Sequence, residues 1–455
     1  MGSYSPAMIY FLDRLSGYSS NYFKLMPSGS DSAAANAITR IPLPSNCLLD
    51  LRKFKLNFCA STTGTGARLP GDLSALIERI EISCGGISIS QGTNMYNTLV
   101  AAKAALLGSK CDPVTGHPEM VRDNKFDSSD LLTATGANEI YTEGVPHCID
   151  HFEGFLSTAE PRVLDVSLLA DLVVSIHWAP TTVLSSCKKA DTHANFKEVP
   201  TSGAVASYTI QGIYASVETI GLSDSVYDNM LAATIAQKGY LEVPFKNYVS
   251  FQNTHTGSSR FSIACQSLDR LWLCWRKSDY NTLGAPQPVP GYSTAAGKAS
   301  NALVPADLSA YGGKFGTGGK EKYITKHQKF EMPCSTLKKK AAMTTQVSLN
   351  GTFFPQWPAN TTDMYQITKS SLETPIRSDL TLEQLQNTNF VQVIRLNQEG
   401  SEKTRTLSGL DSRGVNLQGY INTVGEDVVN PSLTIFAEMT SSLRIGANRA
   451  IELIH

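Results

Sequence analysis

The sequence predicts an all-β chain of two Greek-key sandwiches with few, short helices and long loops, and three observations support this. Apolar and polar residues alternate in many short runs, one β-unit has echoes later in the chain, and the length requires two cores. A chain of 455 residues exceeds what one hydrophobic core usually organises, so two domains of about 200 residues are expected.

The clearest unit begins at Ile77. Ile77-Glu78-Arg79-Ile80-Glu81-Ile82-Ser83-Cys84 alternates, Gly85-Gly86 suits a two-residue turn with positive φ, and Ile87-Ser88-Ile89-Ser90 alternates again. With that turn Cys84 faces Ile87 and Ile82 faces Ile89, while Ser83 and Ser88 share the other face. A helix follows, capped by Thr93 or Asn94, with Met95, Leu99, Ala102 and Leu106 as its apolar stripe and Gly108 as its stop.

The echoes come later and in the same order. Leu268-Asp269-Arg270-Leu271-Trp272-Leu273 matches Ile77 to Ile82, and Phe245-Lys246 matches Phe54-Lys55. Phe330-Glu331 matches Phe152-Glu153, and Val347-Ser348-Leu349 matches Val166-Ser167-Leu168. Their shared order points to two copies of one unit.

The remaining elements follow from the same patterns. Residues 1–30, rich in Ser, Gly and Tyr, read as an extended arm. Strand-like runs occupy 47–61, 77–84, 87–90, 148–157, 162–169, 172–178 and 208–220. A helix over 223–238, opened by Ser223 and Asp224 and closed by Gly239, links the halves. Strands resume at 240–251, 260–265, 268–276, 329–332, 345–354, 390–396, 416–423, 432–439 and 450–454. The expected division is an arm over 1–30, a first sandwich over 31–222, a linker helix over 223–239 and a second sandwich over 240–455. Long connections at 109–146 and 277–322 are the places to expect contacts or function.

Composition narrows the function. Thirty-nine basic residues nearly cancel 40 acidic ones, which indicates neither a polyanion-binding surface nor an acidic solvating protein. No run approaches the roughly 18 apolar residues of a membrane span; the longest, from Leu168 to Trp178, is broken by Asp171, Ser175 and His177. No secretion signal is visible, and Pro6 stands where a myristoylation motif needs Ser or Thr. The nine cysteines at 47, 59, 84, 111, 148, 187, 265, 274 and 334 contain no Cys-x-x-Cys pair. Buried free thiols are expected. Asn350-Gly351 reads as a hairpin turn in preference to a glycosylation site.

The tests for chemistry mostly fail. Residues 312–320 resemble a phosphate-binding loop, but Lys314 and Glu321 stand where the motif needs Gly and Ser or Thr. The best metal candidate is His147, His151 and Glu153, which a strand would point to one side at a spacing too stretched for one ion. No Gly-x-Ser-x-Gly elbow occurs. Lys338-Lys339-Lys340 is the one dense basic run and reads as a solvated loop. Of the tryptophans at 178, 272, 275 and 357, Trp272 is opposite in phase to Leu271 and Leu273 and is the candidate for an exposed interface.

Three stretches together carry a family resemblance: Leu49-Asp50-Leu51-Arg52-Lys53-Phe54-Lys55-Leu56; then Arg68-Leu69-Pro70, Asp72-Leu73-Ser74 and Leu76-Ile77-Glu78-Arg79-Ile80; then Ser83-Cys84-Gly85-Gly86. The combination resembles the front half of double jelly-roll major capsid proteins. That lineage includes tectivirus-like phages, adenoviruses and large DNA viruses, and the likeness is nearest to polinton-like and related algal and protist viruses. The resemblance implies two consecutive eight-stranded jelly rolls, with no enzyme activity, cofactor or metal. It further implies homotrimers whose six sandwiches form a pseudo-hexameric capsomer of an icosahedral DNA virus shell. Implied partners are neighbouring capsomers, penton and minor capsid or cement proteins, and an internal membrane at the base, with no direct grip on nucleic acid. The implied location is the virion, assembled in host cytoplasm or nucleus, with the two long connections forming an outward tower. The readings that compete with it are a two-domain β-sandwich enzyme of metal or glycan-hydrolase type and a trimeric receptor-binding surface protein.

Overall fold

The computed structural model describes residues 18–63, 67–70, 72–90, 94–108, 145–189, 198–200, 207–222, 225–283, 287–288, 323–378, 380–398, 407–413, 417–446 and 450–455. In the first half the principal strands are β1 (Tyr18–Leu25), β2 (Ile38–Pro42), β3 (Leu48–Thr63), β4 (Ile77–Cys84), β5 (Ile87–Ser90), β6 (Val145–Ile149), β7 (Leu172–Trp178) and β8 (Ser207–Leu222). Helices α1 (Tyr96–Leu107) and α2 (Phe155–Thr158) lie between them, and α3 (Ser225–Lys238) leads to the second half. There the strands are β9 (Tyr240–Thr254), β10 (Ser258–Ile263), β11 (Leu268–Arg276), β12 (Thr344–Leu349), β13 (Thr352–Asn360), β14 (Val391–Arg395), β15 (Leu417–Val424) and β16 (Ser432–Gly446). Helices α4 (Leu337–Ala342), α5 (Thr361–Ser371) and α6 (Leu382–Asn387) interrupt them.

Hydrogen bonding sorts these strands into two pairs of antiparallel sheets. The first half has the orders β1-β8-β3-β6 and β2-β7-β4-β5. The second has β9-β16-β11-β14 and β10-β15-β12-β13. Counted within each half, both read 1-8-3-6 and 2-7-4-5, the strand order of a jelly roll.

Each sandwich is closed by alternation. On β3 the side chains of Phe54, Leu56, Phe58 and Ala60 turn inward by pairs or in series and are buried, and Phe58 meets Trp178 of β7 edge-on at 5.5 Å between ring centroids. In the second core Trp275, Phe330, Phe390 and Phe436 are fully enclosed. Asn350 and Gly351 take φ of 48° and 86° between the paired residues Leu349 and Thr352, which is the expected hairpin turn.

The duplication is real, but its register in the sequence is not the one the echoes implied. Ile77 to Ile82 lies on β4, the fourth strand of its half, whereas Leu268 to Leu273 lies on β11, the third of its half. Phe54 is on a third strand and Phe245 on a first. The shared pattern has two causes. Arg79 and Glu81 are part-exposed and pair with each other at 3.4 Å, while every residue of β11 is buried on both faces of its sheet. Trp272, expected at an exposed interface, is accordingly 2% exposed.

Other expectations shift for local reasons. Residues 18–25 of the expected arm form β1, paired along its length with β8. In the β4–β5 hairpin Cys84 pairs with Ile87 and Ser83 with Ser88, but a bulge then places Ile82 opposite Ser90 instead of Ile89. Ile82 and Ile89 remain buried and Ile87 is turned out. Helix α1 is entered through Met95 at φ 65° with no side-chain cap, in place of Thr93 or Asn94. The run 148–157 is strand only as far as Ile149 and then leads into α2, and in 329–332 only Phe330 makes a bridge, to Asn389, after the 3₁₀ turn Lys326–Gln328. Lys338, Lys339 and Lys340 lie on α4 and not in a loop. Residues 109–144 and 289–322, which hold most of both long connections, and the phosphate-loop candidate at 312–320 lie outside the described residues.

Gly419 of β15 lies directly opposite Phe261 of β10, and an added Cβ would fall 2.2 Å from the ring. Gly419→Ala should therefore destabilise the second sandwich by about 2 kcal/mol, because a rigid ring packed on the sheet cannot step aside. Denaturant unfolding of the variant measures this, and an unchanged midpoint would contradict it.

Candidate functional site

The three residues that could have shared a metal go to different partners. His147 on β6 is buried with its ring 6.0 Å from Phe58. His151 has its Nε2 3.3 Å from Asp150, and Glu153 is held by Lys103 at 2.6 Å. Among the described residues no three metal-ligating side chains converge. The basic run is divided in the same way: Lys339 pairs with Asp427 at 2.9 Å, and Lys340 turns inward and donates to Asn387. Burial holds the Lys340 pKa below its usual value.

The densest polar cluster lies where the two sandwiches meet, and α1 builds it. The sequence YNTLVAAKAALL is apolar apart from Lys103 along its inner turns. Tyr96, at its start, packs in the first core. Leu99, Ala102 and Leu106, one face of the helix, pack in the second core. A helix from the first half of the chain thus fills the core of the second. Val243 and Phe245 of β9 and Leu443 and Ile445 of β16 return the exchange by packing in the first core.

Lys103 sits at the centre of this exchange. Its Nζ donates to Glu153 Oε2 at 2.6 Å and to the Tyr248 hydroxyl at 2.8 Å, and it lies 4.6 Å from the centroid of the Tyr248 ring. The Glu153 N–H donates to the Tyr96 hydroxyl at 3.0 Å. Burial opposes the charge on Lys103, but the Glu153 carboxylate and its neighbours outweigh it and the pKa rises. Burial raises the Tyr96 and Tyr248 pKa values, so both phenols stay neutral.

The network continues across the sheet. Trp272 Nε1 donates to Glu438 Oε2 at 2.9 Å, and Arg270 binds Glu438 Oε1 and Glu373 Oε1, each at 2.8 Å. Lys246 binds Asp269 Oδ2 at 2.8 Å, while its backbone N–H donates to Thr158 of α2 at 2.9 Å. Arg276, 1% exposed, lies 3.6 Å from the centroid of the Tyr280 ring, and burial lowers its pKa to about 10. Burial and then Arg276 lower His327 to about 3, which keeps that imidazole neutral. Lys103, Asp269, Arg270 and Glu438 escaped the search of the sequence for function. The signal was present, since Lys103 is the one charge in an apolar helix and Asp269-Arg270 opens a run that is otherwise apolar.

Chemically, this arrangement holds rather than reacts. Glu153, Asp269 and Glu438 each face a cation within 2.8 Å, so each carboxylate is occupied. A cleft of about 840 Å³ opens between α3 and both halves, walled by Leu48, Leu164, Leu231, Leu241, Val243 and Ile445. Its walls are predominantly apolar.

Two interlocked jelly rolls over almost the whole chain can be compared with known structures. VP54 of PBCV-1, as fitted into a reconstruction of the virophage Sputnik, superposes with a TM-score of 0.55 at 12% identity, covering 97% of this chain and 98% of that one. The fold is the double jelly roll of viral major capsid proteins. A quasi-atomic chain of the PBCV-1 capsid gives 0.53 at 11% identity over 97% and 98%. The Faustovirus major capsid protein gives 0.50 at 9% identity over 94% and 91%. No family model matches the chain, and no curated protein does.

Lys103→Met keeps the stem and removes the charge, leaving Glu153 part-buried beside a neutral phenol. It should cost about 3 kcal/mol, and Lys103→Met/Glu153→Gln should recover part of that loss, because a single orphaned charge is worse than none. Since the folded pKa of Lys103 is raised, its contribution is complete below the free-lysine value of about 10.4 and is lost only as pH climbs above it. A double-mutant cycle by urea unfolding measures the coupling, and strictly additive effects would contradict it.

Proposed function

We propose that this chain is the major capsid protein of an icosahedral DNA virus. In this reading it forms homotrimers in which six jelly rolls approximate a hexagon. The observation that carries the reading is the pair of sandwiches with one strand order, locked together in a single chain and aligned over nearly its full length with the capsid proteins of PBCV-1 and Faustovirus.

The physics of a shell supports it. Two sandwiches that exchange core residues move as one body, and a rigid subunit with two similar halves can close a threefold ring with quasi-sixfold symmetry. A net formal charge of −1 suits a wall that does not itself neutralise a genome. In this reading the first jelly roll begins with β1 at Tyr18 and runs to 222, followed by the linker helix over 223–239 and a second jelly roll over 240–455. Penton, minor and cement proteins, and an internal membrane where the virus has one, are the remaining partners, and the virion is the location.

The test is the native mass of the purified protein by light scattering, with negative-stain imaging of the same peak. The expected species is a stable trimer with a hexagonal outline. A monomer at all concentrations, with no ring in the images, would overturn the proposal.

A further inference from the structure

The outer face of the sheet β10-β15-β12-β13 is unlike the rest of the surface. Arg260, Tyr420, Ser348 and Phe353 stand in one row across its four strands, each directly paired with the next. Tyr420 is 37% and Phe353 40% exposed. Ser348 is only 8% exposed because it lies between them. The neighbouring outward positions on β10, β12 and β15 are Ser, Thr, Gln and Asn, with Val424 at the end. Among the described residues Arg260 is the one charge on the face. Its guanidinium lies 5.8 Å from the centroid of the Tyr420 ring and pairs with no carboxylate among the described residues. The corresponding sheet of the first half carries Arg40, Arg79, Glu81 and His177 in the same outward positions. Depletion of charge with aromatic enrichment marks the centre of an interface.

We propose that this face is a two-fold contact surface whose partner is the same face of a second copy of this chain. The row itself carries the argument. Reversed against its own copy, Arg–Tyr–Ser–Phe meets Phe–Ser–Tyr–Arg, so each Arg260 lies over a Phe353 ring and each Tyr420 meets the small Ser348. A face without carboxylates packed on its own copy leaves no carboxylate unpaired, and each Arg260 is met by an aromatic ring.

The edge strand decides the mode of docking. On β13 residues 355–358 bulge out opposite Gln346, and Pro355 and Pro358 lack the N–H groups that strand addition requires. Strand addition at the β13 edge is therefore blocked, and the row of outward side chains docks face to face. Four strands at about 4.8 Å and six residues at about 3.4 Å give a face of about 400 Å², and two such faces fall in the small, reversible class of interfaces. Such a contact joins finished capsomers, which then exchange and correct their positions before locking. This inference rests on the capsid reading for the identity of the joined bodies, but the contact itself does not.

Sedimentation of the full chain over a concentration series tests it. The wild type should associate through this face, to a dimer if the basal species is a monomer and to at least twice the basal mass if it is a trimer with three such faces, so loss of the trimer alone would count against the capsid reading and leave this contact standing. Arg260→Glu, Phe353→Arg and Tyr420→Glu should each lower the association constant at least tenfold without moving the thermal midpoint. Arg260→Glu/Phe353→Arg should restore it to within about threefold, since the swapped charges meet across the two-fold axis. Three results would overturn the proposal: single variants that associate like wild type, a double variant as weak as the single ones, or a wild type that never doubles, which would assign the face to another protein.

Discussion

The structure depends on one constraint: α1 cannot leave the seam between the two cores, and Lys103 cannot leave α1. The helix places Tyr96 in the first core and Leu99, Ala102 and Leu106 in the second, so withdrawing it would expose apolar surface on both sides at once. Lys103 fixes the depth and rotation of the helix, because only one setting brings its ammonium to Glu153 and Tyr248 together. Hydrophobic burial supplies the driving force here. The ion pair supplies the register.

Around that seam the two jelly rolls share a plan and differ in their surfaces. In the first, the outer sheet is a solvated lattice of Arg79, Glu81 and His177. In the second, β11 is covered on both faces, and its outward charges are turned into pairs with Lys246, Glu373 and Glu438. The same alternation of strand and turn can therefore present a charged wall, a buried seam or an aromatic face without carboxylates. The polar positions decide which, and the apolar ones decide the sandwich.

Much of this was legible in the sequence because alternation has a fixed period. Runs such as Leu172 to Trp178 and Leu268 to Arg276 matched their strands, and Asn350-Gly351 and Gly239 marked their turns. The capsid resemblance at residues 49–107 also led to the right fold. Other features depended on the tertiary partner. The echo between Ile77 and Leu268 misled because an acid and an arginine look alike in sequence whether they face water or, like Asp269 and Arg270, find Lys246 and Glu438 inside a core. Trp272 was read as exposed because its phase was right but its far face is roofed by α1. Helices α5 and α6 carry capping boxes at Asn360 with Asp363 and at Thr381 with Gln384, a signal in the sequence that attention to strands passed over.

The seam makes the two sandwiches a single cooperative unit. Native-state hydrogen exchange of the full chain would measure it most directly, comparing amides of β8 in the first core with those of β16 in the second as denaturant is added. Both sets should converge on one global opening with the same free energy and the same denaturant dependence. Two separate openings, with β16 protected after β8 has exchanged or the reverse, would show that the sandwiches fold independently and that α1 is only a connection between them.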